Sequence, residues 1–514
     1  MVSKLRRVPM AKDMNIESNC VQAVAVQSDA QDIATQDSAV RYREKRIAHW
    51  DRVAGWMDRH RGLGRAYQRR LASVYRSLVP EGARVLEIGC AQGDLLAALK
   101  PSVGVGIDFS GEMLSRAREK HADLRFIQGD AHSLDLAFDL DEKFDVIILS
   151  DLVNDLWDVL KTLEQIARLS TPHTRVILNF YSRVWELPLR LARRLGLAKP
   201  NLAQNWLTAE DVAGLLSLAD FEIVRHRKEI LMPLSVPLVA GFANRYLAKV
   251  WPFNLAVFTH LLVARPIPAA DRQVKQPTVS VVVPARNEAG NIASIFERLP
   301  SLGGGAELIF VEGGSTDNTY EEIERAIAAN PDTPSVLLKQ TGSGKGDAVR
   351  LGFSHARGDV LMILDSDLSV PPEDLPRFLH VLASGKAEFA NGSRLVYPME
   401  KEAMRFLNLL GNKFFSLAFS WLLEQPLKDT LCGTKALWKT DYDKIAANRK
   451  YFGDFDPFGD FDLLFGAAKL NLKIVEVPIR YRDRMYGTTN IQRWSHGWLL
   501  IKMVAFAAGR IKFV

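Results

Sequence analysis

Apolar residues along this chain form short runs that alternate with longer segments in which apolar positions recur every three or four residues. The stretch "ARVLEIGCAQGDLLAAL" at 83–99 shows the unit. It predicts a buried strand from Val85 to Ile88, a glycine-bearing turn from Gly89 to Gly93 and a helix beginning near Asp94. Strand, turn and helix alternate in the same way after residue 278, which predicts an α/β fold with mostly parallel sheets.

A proline-rich stretch divides the two series of elements. Residues 265–278, "RPIPAADRQVKQPT", combine three prolines with charges and no apolar period. We therefore expect Rossmann-like domains at 41–264 and 278–514, joined by a linker at 265–277. Residues 1–40 are polar and aperiodic, which predicts a disordered tail.

Composition and charge indicate where the protein is expected to act and which partners it is expected to have. The formal charge is +6, and basic residues dominate from residue 480 to the C-terminus, which favours contact with phosphates or an anionic membrane face over an ordinary solvated surface. Cys20, Cys90 and Cys432 lack the spacing of metal ligands. The basic N-terminus has no apolar stretch behind it, and no run reaches the ~20 apolar residues of a membrane span. We expect a cytoplasmic protein, with peripheral contact on the cytoplasmic membrane face left open, and no nucleic-acid partner.

Acidic residues follow successive predicted strands of the first domain. "VGVGID" ends on Asp108, "LRFIQGD" leads to Asp130, and "FDVIILSD" leads to Asp151. The carboxyl ends of parallel strands share one edge of a sheet, where open α/β sheets bind ligands. The G-x-G-x-x-G pattern of dinucleotide-binding folds is absent, so we expect a different nucleoside ligand.

At these residues the chain resembles class I S-adenosylmethionine-dependent methyltransferases over 83–182. The resemblance implies that the turn after the first strand holds the methionine part of S-adenosylmethionine, that Asp108 binds the ribose and that two residues flank the adenine. One departure is Ala91, where many relatives have a third glycine. An alternative is a methyltransferase-like fold kept as a scaffold without catalysis. The cofactor-binding residues implied are Glu87, Gly89, Gly93, Asp108, Asp130 and Ala131.

The methyl acceptor is not specified by the sequence. Asp151, Asp155 or His132 could remove a proton from a hydroxyl group during O-methylation. Each could equally cap a helix or pair with a cation. The choice among the three stays open.

In the second domain, glycine turns and acids again follow predicted strands. "QTGSGKGDAVRLGF" fails the phosphate-loop pattern but places Lys345 at the start of a helix, where an anion can bind. "LMILDSDLSVPPEDL" carries a buried strand directly into Asp365 and Asp367. Two carboxylates at one strand end provide the oxygen ligands that Mg²⁺ or Mn²⁺ prefers, with positions left for phosphate oxygens.

Residues 278–492 resemble family 2 glycosyltransferases, in the branch of dolichyl-phosphate mannose synthase. The matching motifs are "VVVPARNEAGNI", "VEGGSTDNT", "GKGDAVRLGF", "LDSDLSVPPEDL", "NGSRL", "DTLCGTKALW" and "GDFDLLFGAAKLNLKIVEVPIRY". The resemblance implies a GT-A fold, a nucleotide-sugar donor, a metal bound by Asp365 and Asp367, and a phosphate contact for Arg394. The residues expected to bind substrate are Pro284, Arg286, Glu288, Glu312, Asp317, Lys345, Asp365, Arg394 and Arg484.

The expected chemistry is displacement of the diphosphate with inversion. A hydroxyl acceptor needs a carboxylate base, for which Asp460, Asp462 and Asp429 are the candidates. A phosphate acceptor, such as polyprenyl phosphate, needs none. Many lipid-phosphate enzymes end on R-x-x-G-x-S-K, whereas this chain ends on Arg484-x-x-Gly-x-Thr-Asn, which weakens the case for a phosphate over a glycolipid.

Two apolar segments bear on lipid contact. "MRFLNLLGNKFFSLAFSWLLEQ" carries a polar stripe that includes Ser416 and Ser420, and the C-terminus is apolar with basic residues. Both could lie in a membrane interface or pack between the domains. We therefore predict a bifunctional enzyme that methylates and glycosylates related acceptors. A nucleotidyltransferase that uses the same D-x-D metal chemistry is the remaining rival.

Overall fold

The computed structural model describes ten parts of the chain. They are residues 37–57, 64–134, 142–196, 198–234, 236–268, 276–397, 406–449, 459–482, 486 and 493–514. Asp460 has a described backbone but no described side chain, and Arg484 lies outside the described residues.

The first half of the chain forms a seven-stranded sheet in the order β3-β2-β1-β4-β5-β7-β6. The first five strands are parallel, and β7 runs antiparallel to both β5 and β6. The strands are β1 (Arg84–Ile88), β2 (Val103–Asp108), β3 (Arg125–Gln128), β4 (Val146–Ser150), β5 (Arg175–Tyr181), β6 (Phe221–Glu229) and β7 (Thr259–Pro266).

Helices cover both faces of this sheet, which explains why a strand such as β4 is almost continuously buried and apolar. They are α1 (37–57), α2 (Arg65–Leu78), α3 (Asp94–Leu99), α4 (Gly111–Lys120), α5 (Val159–Leu169), α6 (Glu186–Arg194), α7 (Ala209–Leu218) and α8 (Val239–Arg245).

The second half forms another seven-stranded sheet, in the order β10-β9-β8-β11-β13-β12-β14. Strands β8 to β11 are parallel, β13 is antiparallel to β11 and β12, and β14 is parallel to β12. The strands are β8 (Val279–Ala285), β9 (Ala306–Glu312), β10 (Ser335–Lys339), β11 (Val360–Ile363), β12 (Phe389–Ser393), β13 (Lys435–Trp438) and β14 (Ile474–Pro478).

The helices of the second half pack on both sides of its sheet and continue to the C-terminus, where a π-helical turn at Ala508–Lys512 follows the last one. They are α9 (Ile292–Arg298), α10 (Thr319–Ala329), α11 (Lys345–His355), α12 (Leu375–Ala383), α13 (Phe406–Leu423), α14 (Lys439–Ala447), α15 (Asp460–Lys469) and α16 (Arg493–Ala507).

Buried ion pairs join the two halves. Arg175 on β5 contacts Glu388 beside β12 at 2.5 Å, and Arg225 on β6 contacts Glu424 after α13 at 2.8 Å. All four side chains are almost completely buried. Because an unpaired charge in such a place is costly, these contacts hold the edge of the first sheet in one position against the second half.

The element predictions can be compared directly with the structure. The strand, turn and helix of 83–99 are confirmed, including the start of α3 at Asp94. The predicted disordered tail is wrong at its end, because residues 37–40 belong to α1, and its residues 1–36 lie outside the described part of the chain. The first two residues of the predicted linker complete β7, where they pair with β6. No helix among the described residues is long and apolar enough to cross a membrane.

Candidate functional site

The turn after β1 is built for close approach to a ligand. Gly89, Ala91 and Gly93 all have positive φ, at 74°, 47° and 75°. Glycine adopts this region without strain, whereas alanine pays roughly 1–2 kcal/mol. An added Cβ at Gly89 would also lie 2.9 Å from a methyl group of Leu152, so that side chain would have to shift. Gly93 then precedes the first turn of α3.

Asp108 ends β2 and faces this turn. Its carboxylate accepts hydrogen bonds from the N–H groups of Ala91 and Ser110, both at 2.9 Å. Burial raises the pKa of Asp108 to about 6, although these two N–H groups act in the opposite direction. Asp108, the residue expected to bind the ribose, therefore lies next to the glycine turn.

Glu87 is a buried acid on β1, two residues before the same turn. Its Oε2 atom has no hydrogen-bond partner among the described residues. Burial raises the pKa of Glu87 to about 8. A buried carboxyl oxygen without a partner is uncommon, and here it lies on the strand that leads into the glycine turn. The residues therefore fit a positively charged nucleoside cofactor such as S-adenosylmethionine.

Asp130 follows β3 and is held by His132. Its Oδ1 atom accepts hydrogen bonds from the backbone N–H of His132 at 2.9 Å and from its Nδ1 atom at 2.7 Å. Burial acts to raise the pKa of Asp130, but these bonds outweigh it and lower the pKa to about 2. The Nε2 atom of His132 accepts from the N–H of Asp158. Both ring nitrogens are therefore engaged, which argues against His132 as a base. Ala131 between them is buried.

Asp151 lies at the centre of a polar cluster at the end of β4. Its Oδ1 atom accepts hydrogen bonds from the Tyr67 hydroxyl at 2.6 Å and from Asn179 Nδ2 at 2.5 Å. Its φ of 57° is unusual for aspartate, and strained residues of this kind concentrate at functional sites. Burial raises the pKa of Asp151, against the effect of these hydrogen bonds. Lys199 lies close enough to lower that pKa as well.

Helix α1 covers this site, which the sequence analysis did not anticipate. Arg46 contacts the Asp155 carboxylate at 3.1 Å, and Trp50 Nε1 donates to the same carboxylate at 2.7 Å. Asp155 is therefore neutralised by the helix and is poorly placed to act as a base. Lys199 lies over the Trp50 ring at 4.2 Å. Burial lowers the pKa of Lys199 to about 8, although nearby aspartates oppose the change.

The D-x-D acids of the second half lie at the end of β11. Asp365 contacts the ammonium of Lys345, the first residue of α11. Burial acts to raise the pKa of Asp365, but the Lys345 ammonium outweighs it and keeps the pKa below its ordinary value. Gly433 backs the pair so closely that an added Cβ would overlap both side chains. The motif DTLCGTKALW contains Gly433. It does not by itself predict that Gly433 packs against Asp365 and Lys345.

The second acid is fixed by its own turn. The Oδ1 atom of Asp367 accepts hydrogen bonds from the N–H of Ser369 at 3.0 Å and from its hydroxyl at 2.7 Å. Between the two acids, Ser366 donates to the carbonyl of Pro284 at 2.8 Å. That bond fixes the D-x-D turn against the end of β8.

The expected nucleoside-binding residues lie at the ends of β8 and β9. Arg286 is exposed, whereas Glu288 and Glu312 are buried. Glu312 accepts from the N–H of Ser315 at 2.5 Å, and Asp317 accepts from the N–H of Thr319 at 3.1 Å. The structure thus brings these residues to the same sheet edge as Asp365, but Asp317 also fixes the start of α10.

Two of the predicted bases, Asp429 and Asp462, are each in contact with an arginine. Asp429 is fully buried and bound to Arg394 through Nε at 2.7 Å and Nη2 at 2.8 Å. Burial acts to raise the pKa of Asp429, but Arg394 outweighs it and lowers the pKa. Asp462 contacts Arg449 at 2.9 Å. A carboxylate held by a guanidinium is a weak proton acceptor, because the positive charge favours its ionised form. For Asp429, accepting the proton would also leave the largely buried Arg394 without its partner.

The remaining candidates are only partly described. Asp460 begins α15, and Gly459 just before it touches Gly346 at the start of α11. The backbone therefore places Asp460 close to Lys345, although its side chain lies outside the described part. Arg484 and the Gly-x-Thr-Asn after it belong to residues that the structure does not describe.

Asp365 and Asp367 could bind a divalent cation, but they do not provide a complete set of ligands for it. Within the described ranges, no group of three or more His, Cys, Asp and Glu side chains could hold a metal ion. Two carboxylates alone suit Mg²⁺ or Mn²⁺ only when phosphate oxygens and water complete the coordination. Asp365 and Asp367 therefore fit a metal that arrives with a diphosphate.

The described part of the polar stripe on α13, Ser416 and Ser420, faces the protein. Ser416 and Ser420 both donate to the carbonyl of Leu427, at 2.7 and 3.0 Å. For this half of the stripe, packing within the protein is the correct interpretation.

Comparison with known proteins separates the chain into the same two halves. Residues 80–219 match the family model described as "Methyltransferase domain", and residues 280–445 match the model described as "Glycosyl transferase family 2". The predicted α/β folds, a class I methyltransferase fold followed by a GT-A fold, are confirmed.

Curated relatives match the second half. Glycosyltransferase AglJ of Haloferax volcanii is 29% identical over 43% of this chain and 69% of its own length. Dolichol-phosphate mannosyltransferase of Pyrococcus furiosus is 29% identical over 42% of this chain and 59% of its own length. A solved SAM-dependent methyltransferase of Thermotoga maritima is 16% identical over 43% of this chain and 99% of that chain, with a TM-score of 0.33. The chain therefore carries a match to a methyltransferase domain at 80–219 and a match to a family 2 glycosyltransferase domain at 280–445.

Proposed function

We propose that the C-terminal domain transfers a sugar, with inversion, from a nucleotide-sugar donor to the phosphate of a polyprenyl phosphate. The observation that carries this proposal is the grouping of Asp365, Asp367 and Lys345 beside the ends of β8 and β9. A nucleoside on those strand ends would place its diphosphate against the lysine and the two acids. The positive end of α11 adds to the attraction for the anion.

A phosphate acceptor suits this site better than a hydroxyl. Asp429 and Asp462 are each held by an arginine, so neither is a good proton acceptor. A phosphate is already anionic and needs no base. One of the relatives bears the name dolichol-phosphate mannosyltransferase, which supports a polyprenyl phosphate over a glycolipid.

A divalent cation, Mg²⁺ or Mn²⁺, would supply neutralisation of the departing diphosphate when bound. Asp365 and Asp367 would hold it. Lys345 contacts Asp365, so its ammonium lies where the phosphates of a bound donor would meet it.

For the N-terminal domain, we propose transfer of a methyl group from S-adenosylmethionine to a hydroxyl of a related glycan or lipid. Glu87, Asp108 and the glycine turn would bind the cofactor, which supplies the electrophilic methyl group. Asp151 would accept the proton from the acceptor oxygen, because Asp155 is paired with the Arg46 guanidinium and both ring nitrogens of His132 are hydrogen-bonded. The side chains of Tyr67 and Asn179, which donate hydrogen bonds to Asp151, are uncharged and bind one of its two oxygens. The raised pKa of Asp151 suits that role near neutral pH.

The sugar-transfer proposal is tested by product analysis. Purified protein is incubated with polyprenyl phosphate and a panel of sugar nucleotides, and the lipids are analysed by mass spectrometry. We expect a glycosyl phospholipid and a released nucleoside diphosphate, both abolished in Asp367→Asn, with methylation unchanged. Release of pyrophosphate would instead identify a nucleotidyltransferase, and loss of both activities would contradict independent sites.

The methyl-transfer proposal is tested first by equilibrium dialysis with S-adenosylmethionine. We expect binding by the wild type and by Asp151→Asn, and loss of binding in Asp108→Ala. Methylation of the glycosylated lipid should fall about 100-fold or more in Asp151→Asn, the usual contribution of a general base. Absence of binding by the wild type would support the scaffold alternative.

A further inference from the structure

The methyltransferase domain exposes a large apolar surface next to the junction with the second domain. Its main part is the segment 236–258, in which Leu238 is 93% exposed and Trp251 is 74% exposed. Helix α6 adds Leu187, which is 73% exposed, and Leu191. Monomeric proteins seldom expose apolar patches of this kind without a partner.

Contacts show that these parts adjoin one another. Trp185, at the start of α6, donates through Nε1 to the carbonyl of Ala256 at 2.9 Å. On the other side of the segment, Trp421 on α13 donates to the carbonyl of Lys249 at 3.2 Å. Leu417, one turn before Trp421, is also exposed. We call the exposed side chains of α6, of 236–258 and of α13 the apolar face.

The charges around the apolar face are almost all positive. Residues 236–258 contain no acidic residue; Arg245 is exposed, whereas Lys249 is buried in an ion pair with Glu229 and adds no charge to the surface. Helix α6 carries three arginines against Glu186. Residues 406–423 contain Lys413 and no acid, and residues 493–514 contain only basic charges. Apolar side chains and tryptophan within a basic surround are typical of proteins that lie on anionic membranes.

We propose that the apolar face docks on the surface of an anionic lipid bilayer. A second copy of the chain is a poorer occupant, because a two-fold contact brings the same patch of each copy together. The basic surround of one copy would then lie against that of the other. An anionic bilayer provides the opposite charge and also takes up the leucine and tryptophan side chains. This proposal does not depend on either transfer activity.

Vesicle flotation tests the proposal with the full-length chain. We expect the wild type to float with vesicles of phosphatidylglycerol and phosphatidylcholine, to bind pure phosphatidylcholine much more weakly, and to lose binding as salt is raised. The double variant Leu238→Asp, Trp251→Asp should bind the anionic vesicles at least tenfold more weakly. Both residues are exposed, so the fold should survive, and thermal melting checks that it does.

Leu218→Asp is the matched control. Leu218 is 69% exposed on α7, outside the apolar face, and its substitution should leave vesicle binding unchanged. Failure of the wild type to bind anionic vesicles would overturn the proposal. So would equal binding by the double variant and the control, or a wild-type dimer in sedimentation that the double variant converts to a monomer.

Discussion

Removing the charge of Glu424 should destabilise the junction between the domains. This residue is buried and contacts three cations: Arg225 at 2.8 Å, Arg227 at 3.4 Å and Lys512 at 2.7 Å. Glu424→Gln keeps the shape of the side chain but leaves buried positive charge without a partner. Breaking a buried pair in this way costs about 3–5 kcal/mol.

The pKa of Glu424 gives a second value for the free energy by which these contacts stabilise the fold. Burial acts to raise that pKa, but the neighbouring cations outweigh it and lower it from 4.5 to about 2. A change of this size corresponds to roughly 3 kcal/mol of stability at neutral pH. Because the folded-state pKa is depressed, the stabilisation is present above pH 4.5 and is lost as the pH falls toward about 2.

Urea denaturation followed by tryptophan fluorescence measures the effect. The control is Glu373→Gln, which removes the same charge from a surface pair with Arg298 and should cost about 1 kcal/mol or less. We expect the difference between the two variants to shrink below pH 4.5, where wild-type Glu424 begins to lose its own charge. If Glu424→Gln is no less stable than Glu373→Gln at pH 7, the buried contacts do not stabilise the junction and the reasoning fails.

Two further predictions concern the sites. Gly433→Ala should lower sugar transfer about 100-fold, because the added methyl group would displace Asp365 and Lys345. Methylation by the same variant is the internal control. Normal sugar transfer would show that the positions of Asp365 and Lys345 are unimportant. Lys199→Met should shift the acidic limb of the methylation pH profile to higher pH, because the ammonium of Lys199 lowers the pKa of Asp151; an unmoved limb would show that Asp151 is not the titrating base.

The sequence predicted the strand ends better than it predicted the partners of the side chains there. Asp108, Asp151 and Asp365 lie at the ends of β2, β4 and β11, as the apolar runs before them indicate. Asp429 looked like a candidate base because a motif contained it. Its bond to Arg394 joins residues 35 positions apart, and no local pattern reports such a contact.

Helix α1 is a second case in which contacts with distant residues could not be predicted from the local sequence. Polar composition favoured disorder up to residue 40, yet residues 37–40 are helical. Arg46 and Trp50 of the same helix bind Asp155, more than 100 residues away. Local composition measures how much apolar surface a segment can bury by itself. It does not record the surface that another part of the chain offers to it.

The sequence alone determined two α/β domains, their order and the sheet edges where their ligands should bind, because hydrophobic period and turn residues act over short distances along the chain. Tertiary structure decided which acids remain available for chemistry, how buried ion pairs join the domains and which apolar side chains stay exposed. Those properties depend on the charges and surfaces that distant segments bring together, and burial alters the pKa of an acid only after the chain has folded around it.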